Sequence, residues 1–150
     1  FQRALNLADE LLQLDSAESG AQTIRIMALF ALGRSDEANA AVAAVIEREQ
    51  EDAAVLNQLA WLLATGIEKG EVDLQQALRA AERAVELDGG RDANSLDTLA
   101  RVHFRLEQYE QAVSRQRQAI EQAPEGQREA YESVLKEYEA KITAVPPGQQ

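Results

Sequence analysis

The chain has 150 residues, 45% of them hydrophobic, and a formal charge of −11 from 26 acidic and 15 basic side chains. That is enough for one domain, and the acidity disfavours nucleic acid and anionic membrane surfaces as partners. Cys is absent, which excludes a disulfide framework, a thiolate zinc site and a Cys nucleophile, and no apolar run approaches the length of a membrane span.

Residues 1–18 predict one helix, with Leu5, Ala8, Leu11 and Leu12 at helical spacing. The chain opens on Phe1 with no basic–apolar–small leader, so it reads as a piece of a longer protein. Residues 19–52 predict a helix pair. The first helix runs from about Ala21 to Leu32 and stops at Gly33, a residue suited to the left-handed position after a helix. Ser35 or Asp36 is placed to cap the second, which carries Ala38, Ala41, Val42, Val45 and Ile46.

Residues 53–91 predict another pair. Leu56, Leu59, Ala60 and Leu63 mark the first helix, and Leu74 to Leu87 make the second. Between them lies GIEKGEVD, a charged turn bounded by glycines. Residues 93–126 form the clearest pair, with Leu96, Leu99, Ala100, His103 and Phe104 on one helix. Ala112, Val113, Gln116, Ala119 and Ile120 lie on the next, and Pro124 closes it. Residues 127–142 predict a last amphipathic helix, apolar at Tyr131, Val134, Leu135, Tyr138 and Ile142. The tail, residues 143–150, contains Pro146–Pro147 and is expected to be disordered.

A period joins these units. Ala4, Ala38, Ala77 and Ala112 hold one phase, with spacings of 34, 39 and 35 residues. The longer spacing places a five-residue insertion in the 66–73 turn, where extra length costs little. A bulky residue, Leu-small, an aromatic, a later Ala and a terminal Pro within 34 residues resemble the tetratricopeptide repeat. The resemblance covers residues 1–142: a half repeat at 1–18, repeats at 19–52, 53–91 and 93–126, and a capping helix at 127–142. It implies an all-α, right-handed solenoid of antiparallel helix pairs. The match is poorest where Gln22 and Arg25 occupy slots that usually hold bulk, so that first helix is expected to be rotated or frayed.

The resemblance also implies a function. Families of this fold act as non-catalytic scaffolds that hold a peptide or protein segment in a concave groove lined by first helices. Carried over by register, the groove residues are Thr23, Met27 and Phe30; Asn57, Trp61 and Thr65; Asp97, Arg101 and Arg105. Each set of three recurs at three- or four-residue spacing and so shares a face. Asn57 suits a peptide backbone, Trp61 an apolar side chain, Met27 varied side chains and Arg101 a carboxylate. The competing readings are structural. Trp61 packs under the 66–73 insertion or against a neighbouring first helix, Asn57 bridges adjacent helices, and Arg101 and Arg105 are solvated or pair with Asp97 and Glu107. The lysines of the family's chaperone-tail clamp are absent, so that mode is not expected. The LNQLAWLLAT wording is similar to repeats of large bacterial multidomain proteins, often joined to thioredoxin-like domains.

No residue set supports catalysis or a cofactor. His103 is the only His and is expected to be packed and hydrogen-bonded, since one His without Cys makes no metal set. Carboxylates such as Asp9/Glu10 and Glu49/Glu51/Asp52 read as solvated charge. The expected partner is a protein or peptide. The alternative is a structural module that self-associates, as a homodimer through the helix at 3–14, whose Leu5, Leu11 and Leu12 lack an upstream partner.

Overall fold

The computed structural model describes residues 1–16, 18–48, 52–66 and 72–144, and among these it is helical with no strand. In chain order the α-helices are α1 (Gln2–Leu14), α2 (Ser19–Ala31), α3 (Ser35–Ile46), α4 (Ala53–Trp61), α5 (Leu74–Asp88), α6 (Ala93–Arg105), α7 (Tyr109–Gln122) and α8 (Arg128–Ala144). A π-helical turn, Leu62–Gly66, extends α4, and a 3₁₀ turn, Glu125–Gln127, leads into α8. The last helix thus reaches two residues into the segment read as tail. The rest of that tail and residues 67–71 of the insertion lie outside the described residues.

The helix starts have a common chemistry. Asp52, Asp73 and Asp92 each accept a hydrogen bond from a backbone N–H of the first turn, at 2.7, 2.9 and 3.1 Å. Glu18 does the same for α2, accepting from Gly20 and Ala21. Such caps satisfy donors that have no partner within the helix. At α3 the capping position falls one residue before the expected Ser35. Arg34 is the capping residue without a side-chain cap bond, and its guanidinium instead holds Glu37 through two 2.6 Å bonds. The stops are backbone events. Gly33 (φ 75°) ends α2, and Glu107 (φ 60°) takes the same left-handed place after α6, five residues before Ala112 as Gly33 is before Ala38.

Consecutive helices pack side by side, and α3 also meets α5 while α4 meets α6. Of the residues of the period, Ala38, Ala77 and Ala112 are fully buried at 0% exposure and Ala4 is partly buried. Small side chains there let neighbouring helices approach closely. The main core runs from Leu5 through Ile26, Leu29, Phe30, Val42, Leu56, Leu59 and Ala77 to Val102. A second cluster joins Ala100, Ala112, Val113 and Tyr138, with Phe104, Val134 and Leu135 against it. Its centre is a stack of Phe104 on Tyr138, 4.5 Å between ring centroids.

α2 is neither frayed nor depleted of core. Gln22 donates to the Ser16 carbonyl and Arg25 pairs with Asp9 at 2.8 Å, so both polar residues lie beside α1 while Ile26, Leu29 and Phe30 supply the bulk. Leu5 is buried in the main core, which removes it from the set expected to lack a partner; Leu7, Leu11 and Leu14 are the exposed leucines of α1.

Candidate functional site

α4 and α6 bring together the two side chains with the greatest binding potential. Trp61 ends α4, and the Arg101 guanidinium carbon lies 4.9 Å from its ring centroid. A guanidinium over an indole is stabilised by the ring quadrupole, by about 0.5–1 kcal/mol at an exposed site. Trp61 is 43% exposed, so the contact fixes the ring without hiding it. Asn57 stands one turn earlier on α4 and is half-buried, and its Oδ1 has no hydrogen-bond partner among the described residues. Arg101 Nε is likewise without one, and Arg101 forms no ion pair among the described residues.

The preceding turn of α6 is buried by α7 and α8. Gln116 Nε2 donates to Asp97 Oδ1 at 2.8 Å and to the Tyr131 carbonyl at 3.2 Å, and the Tyr131 hydroxyl donates to Asn94 Oδ1 at 2.9 Å. Burial pushes the Asp97 carboxyl above its usual range, against the opposing effects of the Gln116 hydrogen bond and the Arg101 charge. Burial also pushes the Tyr138 phenol up to about 12. Its hydroxyl and Gln116 Oε1 are buried with no partner among the described residues.

The nine expected residues do not share one surface. Phe30 is 1% exposed and belongs to the main core, because Ile26, Leu29 and Phe30 form a stripe of their own at i, i+3, i+4. Asp97, at 9% exposed, is sealed under α8. Arg105 is exposed, but its guanidinium donates to the Ala64 carbonyl in the π turn, satisfying an acceptor at a helix end. Thr65 donates to the Trp61 carbonyl at 2.7 Å, and Thr23 to the Ser19 carbonyl at 3.0 Å. Met27 is 46% exposed, and so is its neighbour Ile24 at 44%, a residue outside the register-derived set. Thr23 also lines a small cleft of about 10 Å³ where α2, the end of α3 and α4 meet, with Ile26, Val45, Arg48, Val55 and Leu59.

His103 is 7% exposed, and its Nδ1 lies 2.7 Å from Gln108 Oε1, the packed and hydrogen-bonded state expected of it. Among the described residues no group of three or more His, Asp or Glu is placed to hold a metal ion, and no helix is long and apolar enough to cross a membrane. No protein-family model matches the chain, and comparison with curated proteins gives no significant match.

Proposed function

We propose that the chain is a tetratricopeptide-like solenoid that acts as a non-catalytic scaffold, holding a segment of another protein across α2, α4 and α6. The observation that carries this reading is the Trp61–Arg101 contact, which spans two helix pairs and leaves a large aromatic in water. Trp and Arg are the residue types most enriched among binding hot spots. Asn57 and Arg101 retain polar atoms without partners beside them. The phase of the buried alanines and the α3–α5 and α4–α6 contacts support the repeat architecture on which the reading depends.

The test is affinity capture from a lysate of the source cells with the wild type and with Trp61→Ala/Arg101→Ala. A partner held by the wild type and lost by the folded variant is the expected result. Equal retention by both overturns the placement of the site. Turnover by the isolated chain, abolished by one carboxylate substitution, overturns the non-catalytic part.

One observation favours a second reading, self-association through α1. Leu7, Leu11 and Leu14 are 57, 40 and 87% exposed and fall at i, i+4 and i+7, a single stripe. Sedimentation decides it: a mass that rises with concentration and is restored to monomer by Leu11→Asp supports the dimer, and a monomer throughout rejects it.

A further inference from the structure

The exposed sides of α2 and α4 repeat each other. Ile24, Met27 and Ala31 on α2 correspond at 34 residues to Gln58 and Trp61 on α4 and Thr65 in the π-helical turn that extends it, and all six are exposed. None is charged. Across a chain that is 27% charged, residues 53–66 contain no charged side chain at all. The contrast with α5 is direct, since its exposed positions include Arg79, Glu82 and Glu86. Solubility alone puts charge on an exposed helix face. Two faces that omit it, and carry Ile24, Met27 and Trp61 at 44, 46 and 43% exposure, present an uncharged surface. Thr23 and Ile26 of α2 line one cleft with Val55 and Leu59 of α4, and with Val45 and Arg48, which places the two helices side by side.

We propose that this surface receives an amphipathic helix of a partner protein, with an uncharged apolar face and a single carboxylate on its flank. The proposal rests on the scaffold reading above and gives the chemistry of its ligand. A helix is required by the backbone. An extended segment brings an unpaired N–H and C=O at every residue, and each such group buried without a partner costs about 1–3 kcal/mol. This surface has no sheet edge to offer. Its polar members are Gln58 and Thr65, and the Thr65 hydroxyl already donates to Trp61. A helix satisfies its own backbone and presents side chains alone, with anchors at i, i+3, i+4 and i+7. From Ile24 to Ala31 the surface is about 10 Å long, two helical turns.

The flank is set by Arg101. It borders Trp61 and forms no ion pair among the described residues; its charge acts on the buried Asp97 carboxyl, but Gln116 holds that group, so one further carboxylate is its complement. The chain's charge of −11 opposes a longer acidic run.

The probe is a randomised peptide library, each member about 16 residues or four helical turns long, selected on the immobilised wild-type chain. Winners are then measured against Met27→Glu and Trp61→Glu, exposed positions whose variants are confirmed folded by circular dichroism. The expected winners carry apolar residues at i, i+3, i+4 and i+7, lack internal Pro, and hold one Asp or Glu. They lose about tenfold or more in affinity on either variant, the size of a hot-spot loss. Replacing their acid by its amide weakens binding to the wild type but not to Arg101→Gln. Winners that contain Pro or alternate apolar and polar residues, yet still depend on Met27 and Trp61, overturn the helical partner and leave the scaffold reading standing. Winners indifferent to both variants, or none at all, overturn both.

Discussion

α4 and α6 hold corresponding places in the 34-residue register, yet their surroundings differ. α4 buries Leu56, Leu59 and Ala60 and leaves Trp61 to solvent. α6 buries nine residues, among them Ser95, Asp97, Thr98 and His103. The difference lies in the elements that come after each helix in the chain. α8 packs on α7 and reaches back to α6 through Tyr131 and the Tyr138–Phe104 stack, so polar positions of α6 are enclosed and must find partners. Over α4 the corresponding place is taken by α6, which sets Arg101 against the Trp61 ring but leaves that ring half in solvent. Position in a repeat therefore does not decide whether a residue is core or surface. The cover above it does.

The largest expected effect tests that cover. Tyr138→Ala should destabilise by about 3–5 kcal/mol, the cost of deleting a buried ring. Tyr138→Phe should be neutral or slightly stabilising, because the hydroxyl it removes has no partner among the described residues. Urea melts check both, and a neutral Tyr138→Ala would mean that α8 does not seal α6. Next come the alanines at the two helix contacts. Ala77→Leu, against α4, and Ala112→Leu, against α6, should each cost about 1–3 kcal/mol by overpacking. If only one does, the two pairs are not built alike.

Trp61→Ala is expected to be small, below about 1 kcal/mol, since it removes a half-exposed ring and one cation–π contact. A thermal melt showing a loss of about 3–5 kcal/mol would place Trp61 with the core aromatics instead. The subtlest test depends on pH. Burial raises the Asp97 carboxyl in the folded chain, so as pH rises the unfolded chain releases this proton first. Stability is lost as pH climbs from the unfolded value, about 4, through the higher folded one. Asp97→Asn keeps an acceptor for Gln116 and removes the charge. It should match the wild type in acid and gain on it above that window. A gain independent of pH would remove Asp97 from the explanation.

Much of the fold is legible in the sequence. Glycines at 33 and 89–90, Pro124 and the alanine phase locate the helices because each acts through local backbone geometry or contact distance. Side-chain direction is harder to read. Phe30 fits the Thr23–Met27 stripe and the Ile26–Leu29 stripe equally by spacing, and burial of a large ring decides for the second. Asp97 looks exposed until the path of α8 is known, which no local pattern encodes. The Arg105–Ala64 bond depends on a π turn that nothing in LLATG announces. Ile24 is discoverable, since it stands 34 residues before Gln58 on an otherwise uncharged face.

The aromatic residues fall so that the two regions have separate optical signatures. Trp61 is the only tryptophan, while the three tyrosines, Tyr109, Tyr131 and Tyr138, all lie on α7 and α8. Indole emission, excited at the red edge where phenols do not absorb, reports on the uncharged face alone, with a guanidinium already against the ring as a built-in polarity reference. Near-ultraviolet dichroism of the tyrosines, once the indole contribution is removed by comparison with Trp61→Phe, reports on the C-terminal packing. An unlabelled sample can thus show occupancy of one region and loosening of the other in a single titration.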